Sequence, residues 1–369
     1  MGARTMTPIA KMILGCIATM AIAAAVGGST ALARRAFHPG GRSVGSLAID
    51  PRQPTAIYAG SGVGVFKTSD GGATWFNTSN GVGKPVVLDV VLDPTRTRTV
   101  YAATKAGVFK SIDGADSWTR WFSRHDVVQL AVHPSNPRVL YAGAMSAIFK
   151  SRDGGDTWRR VLSFRHGDWA LALAIDPHVP STVYAGTGIG VFKTSDGGRH
   201  WRATNRGLPK PTGRDRVEGF VRSIAIDPRH TTTVYVGTER GFFRSRNGGE
   251  SWTAPAGHAA PAAGYSWALA IHPRSPHILY LGSYNGVFKS TNGGKTWRDQ
   301  SNGLRYETER PWIEAVAIDP SHPRIVYAGG TGGVFKSVDG GGVWRRASPF
   351  AAQTRVPVLT ELSSARRER

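Results

Sequence analysis

Short apolar runs broken by Asp-Pro or Gly turns recur from about residue 44 to about residue 350. The first kind of run, Ser46-Leu47-Ala48-Ile49-Asp50-Pro51, has counterparts ending at Pro94, Pro134, Pro177, Pro228, Pro273 and Pro320. The second alternates Val or Ile with Tyr, Ala and Gly around Tyr58, Tyr101, Tyr141, Tyr184, Tyr235, Tyr280 and Tyr327. The third reads Gly-Val-Phe-Lys or a close variant, with Phe66, Phe109, Phe149, Phe192, Phe243, Phe288 and Phe335 at the same place. The fourth starts at a recurring tryptophan. Runs this short, rich in β-branched and aromatic residues and bounded by turn residues, predict strands rather than helices. Four strands in about 45 residues, seven times over, predict an all-β, seven-bladed β-propeller. Each unit is too small to bury its apolar face except against the next one.

The turn between the third and fourth strands carries the most regular pattern: Ser/Thr, any residue, Asp/Asn, two positions that are nearly always Gly, two more, then Trp. Its acidic or amide residues are Asp70, Asp113, Asp153, Asp196, Asn247, Asn292 and Asp339, and its tryptophans are Trp75, Trp118, Trp158, Trp201, Trp252, Trp297 and Trp344. The tryptophans fall 43, 40, 43, 51, 45 and 47 residues apart. A short polar side chain at the Asp position accepts backbone N–H groups of its own turn, and glycine supplies positive φ at little steric cost. Ala115 replaces the second glycine in blade two, so a strained turn is expected there. A basic residue ends the third strand in every copy: Lys67, Lys110, Lys150, Lys193, Arg244, Lys289 and Lys336. Across the hairpin these are expected to cover the tryptophan rings.

These residues resemble the Asp-box (BNR) repeat propellers over about 300 residues. The run Val-Tyr-Ala-Gly-Thr, then Gly-Val-Phe-Lys and Asp-Gly-Gly, is most similar to photosystem II assembly factors and xyloglucanases, with sialidases more distant. The resemblance implies that the box is a structural hairpin away from the ligand face, and it is nearly silent on chemistry.

Residues 1–33 differ in kind. Arg4 and Lys11 precede an apolar stretch that ends in Ala31-Leu32-Ala33, the layout of a secretory signal, or of an N-terminal membrane anchor if it stays attached. Residues 34–43 form an extension, 44–350 the propeller and 351–369 a basic tail. The expected location is therefore exported: periplasmic, secreted, or membrane-associated on the outer side through the N-terminal segment. The single cysteine, Cys16, lies in that segment, so the remainder has no disulfide and no cysteine nucleophile. The formal charge of +21 favours anionic partners. No nucleic-acid motif accompanies it, and the eleven histidines show no metal-ligand spacing, so neither specific nucleic-acid binding, a metal nor a cofactor is expected.

Candidate chemistry falls on the connections from each fourth strand to the next first strand, which in propellers gather on one face. The longest, 202–222, contributes Arg214, Arg216 and Arg222. Others supply Trp169, Tyr265, Trp267, Trp312 and Glu314, and by register Arg222, Trp267 and Glu314 hold equivalent places at the channel mouth. The expected function is a monomeric, non-enzymatic binding or assembly-factor-like propeller whose partner is an acidic protein surface or another anionic polymer. The alternative is a glycan-binding propeller or a glycoside hydrolase of the sialidase or xyloglucanase kind. Hydrolysis needs two carboxylates at a defined separation, and Asp168, Glu307 and Glu314 are the candidates. The Arg-Ile-Pro element expected ahead of the first sialidase box is missing.

Overall fold

The computed structural model describes residues 43–83, 86–122, 126–164, 168–210, 220–255 and 265–347. Seven small antiparallel sheets follow one another along the chain, each built from consecutive strands in sequence order. The first strand of each blade (Val44–Ile49, Val87–Leu92, Val127–Val132, Ala170–Ile175, Val221–Ile226, Ser266–Ile271 and Ile313–Ile318) contacts the first strand of the next. Ile313–Ile318 also contacts Val44–Ile49, which closes the ring. This is the seven-bladed propeller expected from the repeat. Both end blades are assembled from their own four strands. The fourth strand starts one residue after the tryptophan, and in blade five it shrinks to a single bridge between Arg244 and Thr253.

The core lies between blades. The second strands are buried along their whole length, and apolar clusters join neighbouring sheets, as where Tyr327 and Val334 of blade seven meet Val44, Ile57 and Ala59 of blade one. Alternating pleat geometry explains why a Val-Tyr-Ala-Gly strand is buried on both faces here: each sheet is covered on either side by another sheet.

The Asp boxes form as the sequence dictates. Asp70 Oδ1 accepts the Thr74 N–H at 2.9 Å and the Thr68 hydroxyl at 2.7 Å, while Thr68 Oγ1 accepts the Gly72 N–H at 3.0 Å. Six other boxes repeat this arrangement with Asp or Asn. Ala115 takes the place of glycine at φ 73° and is fully buried, a left-handed conformation that a Cβ makes unfavourable. Each box also donates its first glycine N–H to the turn between strands one and two, as Gly71 does to the Thr55 carbonyl at 2.9 Å. Box and Asp-Pro turn thus share one face, opposite the blade-to-blade connections.

The repeat lysines do something other than cover indoles. Lys67 pairs across the hairpin with Phe76, not with Trp75. Its ammonium lies over the Tyr58 ring of its own blade and donates to the Gly114 carbonyl in the next blade's box at 2.7 Å. The same bond runs from Lys110 to Gly154, Lys150 to Gly197, Lys193 to Gly248, Arg244 to Gly293, Lys289 to Gly340 and Lys336 back to Gly71. In five junctions the tyrosine hydroxyl donates to that same carbonyl. Sequence proximity suggested an intra-hairpin contact, but strand twist carries the long basic stem onto the neighbouring blade. Trp121 lies in the fourth strand of blade two, with the Lys110 ammonium 4.0 Å from its ring.

Candidate functional site

At the start of every inner strand the register slips by one residue, leaving Gly45, Leu88, Val128, Leu171, Arg222, Trp267 and Glu314 outside the pairing. A bulge takes its residue out of the in–out alternation, which is how a sheet re-aims one side chain. Arg222, Trp267 and Glu314 are therefore equivalent, as their register predicts. Blades one to four put glycine or an aliphatic residue at the bulge, and only blades five to seven put chemistry there.

The structure brings three predicted aromatics together. Trp267 and Trp312 meet edge-on with ring centroids 5.7 Å apart, and Tyr265 lies 6.0 Å from Trp267. Tyr284, which the sequence reading missed, completes the cluster 5.9 Å from Tyr265. It sits in the hairpin between strands two and three of blade six, and such hairpins end on the same face as the connections. Tyr265 is 42% exposed and adopts φ 63°. A bulky residue held there costs about 1–3 kcal/mol and marks a position fixed by its surroundings, in this case by its N–H donating to the Glu239 carbonyl at 3.0 Å.

Arg222 does not stand free for a partner. It makes a buried ion pair with Glu239, from the neighbouring hairpin of its own blade, and its guanidinium lies 5.6 Å from the Phe220 ring. Burial pushes the Glu239 carboxyl above its ordinary value, and the Arg222 charge works against that. The second Glu239 oxygen is buried and has no hydrogen-bond partner among the described residues. The sequence reading overlooked Glu239, although it is the one acid in the two-residue hairpins that join the second and third strands. Removing Arg222 strands a buried carboxylate, so Arg222→Met should cost about 3 kcal/mol. The loss should grow as pH rises, because with the folded pKa raised the unfolded chain releases its proton first. Urea unfolding of Arg222→Met and of Arg222→Met/Glu239→Gln at several pH values checks this; equal stability of the two variants at neutral pH would refute it.

The three carboxylates proposed for hydrolysis stand in different settings. Asp168 precedes the inner strand of blade four, is 7% exposed, and accepts the Trp169 and Gly188 N–H groups at 2.9 Å each. Burial pushes its carboxyl upward, opposed by those hydrogen bonds. Glu314 belongs to blade seven, three blades round the ring, where Ser43 Oγ donates to its Oε1 at 2.7 Å. The bulge of blade one holds Gly45, whose absent Cβ would lie 3.6 Å from Glu314 Oε2. Glu307 is exposed at φ 54° in the tight turn closed by the Tyr306–Glu309 bridge. Trp169 is half-buried beside Met145, with its indole N–H inside the protein, so part of it packs rather than faces solvent. Arg214 and Arg216 lie outside the described residues, as do residues 1–42 and 348–369.

A buried carboxylate missed by the sequence reading lies one position further on. Asp89 of blade two accepts the Ser46 hydroxyl of blade one at 2.7 Å, and the Leu130 N–H and Gln129 amide of blade three at 2.9 and 2.7 Å. It ties three inner strands together. Two histidines take structural places as well: His133 and His272 stand where other blades have the turn Asp, and their Nδ1 atoms accept the same two N–H groups.

No protein-family model and no curated protein matches the sequence. Among solved structures, an ancestral GH74 enzyme superposes with a TM-score of 0.57 at 18% identity over 84% of this chain and 55% of the enzyme. This chain thus spans about half the length of that relative. YCF48 from Cyanidioschyzon merolae gives 0.55 at 16% identity, covering 81% of this chain and 96% of YCF48, and YCF48 bound to D1 peptide gives 0.54 at 15%, covering 81% and 94%. At these identities the likeness establishes the fold: the chain is built like the propellers of GH74 enzymes and YCF48.

Proposed function

We propose that this chain is an exported, non-enzymatic binding propeller that docks an acidic protein segment on the face carrying its blade-to-blade connections. The observation that carries this reading is the Tyr265–Trp267–Tyr284–Trp312 cluster at the inner end of blades six and seven. Rigid aromatic side chains of this kind anchor protein partners. The connection 202–222, with Arg206, Lys210, Arg214 and Arg216, supplies the charge that steers an acidic one. The likeness to YCF48 over nearly its whole length, including a form bound to a peptide, agrees with a single propeller that binds peptide.

The competing reading is glycan binding or hydrolysis, favoured by the same aromatic platform and by the GH74 likeness. Asp168 and Glu314, however, are engaged with backbone amides and Ser43 in blades three apart, whereas glycosidase carboxylates flank one bond about 5–10 Å apart. Titrating Asp/Glu-rich and neutral peptides against tryptophan fluorescence, alongside xyloglucan and sialylated oligosaccharides, separates the two. Acidic peptides should bind in a salt-sensitive way, and Trp267→Ala or Arg214→Ala/Arg216→Ala should weaken them about tenfold. Glycan turnover that disappears in Asp168→Asn or Glu314→Gln would overturn the proposal.

A further inference from the structure

The seven blade junctions form an internal comparison set on the opposite, box-bearing face. Five positions surround each clasp: the basic residue ending strand three, the second box residue, the first two residues of strand four, and the residue after the glycines of the next box. At the junction of blades one and two these are Lys67, Ser69, Phe76, Asn77 and Asp116; at that of blades four and five, Lys193, Ser195, Arg202, Ala203 and Glu250. There the final acid neutralises the clasp, Asp116 lying 3.8 Å from Lys67 and Glu250 3.4 Å from Lys193. At the junction of blades two and three burial lowers the Lys110 pKa, and the Asp156 charge works against that.

Between blades three and four all five positions are basic: Lys150, Arg152, Arg159, Arg160 and Arg199. No other junction has more than three. Arg199 occupies the place that Asp116, Asp156 and Glu250 hold elsewhere. The five line a cavity of 410 Å³ whose remaining walls are Thr157, Val161 and the box glycines Gly197 and Gly198. The nearby acids are turned into their own hairpins: Asp153 accepts from Ser151 and Thr157, and Asp196 from Thr194, the Arg199 and His200 N–H groups and the His200 ring. The comparable cavity between blades seven and one gathers three cations, Lys336, Arg345 and Arg346, with Asp70 and Asp339, bonded within their own hairpins in the same way, in its lining. Among the described residues, Arg152, Arg159, Arg160 and Arg199 make no ion pair. Burial, with the Arg152 and Arg199 charges, lowers the Lys150 pKa.

Like charges gathered around a half-buried ammonium oppose folding unless something negative joins them. We propose that the junction of blades three and four is a binding site for a phosphate-bearing group with two or more negative charges, such as a diphosphate or a phospholipid headgroup. Guanidinium forks on opposite walls match the oxygens of such a group. This site is independent of the loop-face reading above and lies on the other side of the ring.

Isothermal titration of the full chain with inorganic pyrophosphate, and sedimentation with vesicles containing cardiolipin, whose headgroup carries two phosphates, test it, each against a thermal melt. Wild type should bind at least one of the two saturably; pyrophosphate alone assigns a soluble ligand, and vesicles assign the headgroup. Arg199→Glu reproduces the arrangement of Glu250, so it should raise the melting temperature without ligand and abolish the ligand-induced shift. Arg159→Ala/Arg160→Ala should weaken binding at least about tenfold while leaving the fold intact. Arg52→Glu, the same charge change on an exposed turn of blade one, should leave binding unchanged. Absence of saturable binding to both probes, or an equal loss with Arg52→Glu, would overturn the proposal.

Discussion

Raising the pH from 9 to 12 should unfold the protein in one cooperative step, with phenolate absorbance appearing together with the loss of structure. Burial pushes the hydroxyls of Tyr58, Tyr141 and Tyr280 from the ordinary value of 10.0 up to about 12, and those of Tyr101, Tyr184 and Tyr327 further. The sign follows from the order of release. The unfolded chain gives up these protons near pH 10 and the folded chain only later, so the stabilisation is complete below about pH 10 and drains away as pH climbs through the folded values. Shifts of this size are worth on the order of 3 kcal/mol per tyrosine, and six such groups together rival the roughly 5–15 kcal/mol that holds a typical domain together. The effect is cooperative because each tyrosine sits at a blade junction, five of them on the glycine carbonyl that also receives the lysine. An ionised phenol there would lose its bond and leave a charge inside. Tyrosines that titrate near pH 10 while the circular dichroism remains native would refute the account.

Trp344→Ala should destabilise the protein by about 5 kcal/mol, among the highest costs of the box tryptophans. Trp344 is 2% exposed, and its indole N–H donates to the Gln300 carbonyl of the preceding connection at 2.6 Å. Truncation removes a buried aromatic, worth about 3–5 kcal/mol, and leaves a carbonyl without its donor, worth about 1–3 more. The connection is shaped for this contact: Asn302 O accepts the Trp344 N–H at 2.8 Å, and Gly303, at φ 86°, approaches so closely that a Cβ would lie 2.2 Å from the Trp344 carbonyl oxygen. Gly81 and Gly207 make the same approach to Trp118 and Trp252, whose indoles donate to Thr78 and Thr204. Trp158 is half-buried, and its indole nitrogen has no hydrogen-bond partner among the described residues. Trp158→Ala should therefore cost about 3 kcal/mol, its packing term alone. Chemical denaturation of both variants measures the difference; equal costs would mean that the indole bond contributes nothing.

That division among the tryptophans was present in the sequence and went unread. Asn80-Gly81-Val82, Arg206-Gly207-Leu208 and Asn302-Gly303-Leu304 stand at matching distances after strand four in blades one, four and six. A shared x-Gly-apolar triplet in otherwise variable connections signals a required positive φ and a buried anchor. The pairing of Arg222 with Glu239 was less accessible. The two are 17 residues apart, Arg222 in the first strand and Glu239 in the turn after the second, and only the folding of the blade brings their side chains together.

Blade number, strand order and the place of each box follow from local signals: period-two apolar runs, Asp-Pro turns, and glycines where φ must be positive. Those signals act within a few residues, which is why the sequence alone determined them. Where the lysines point, which of the carboxylates are engaged, and which junction gathers five cations depended on how twisted neighbouring sheets meet, because the bonds across a junction join residues such as Lys67 and Gly114, 47 positions apart, or Tyr184 and Gly248, 64 apart. Seven copies of one strand pattern specify the ring. The chemistry lies in the few positions where a copy departs from the rest, and only closure of the ring sets those departures side by side.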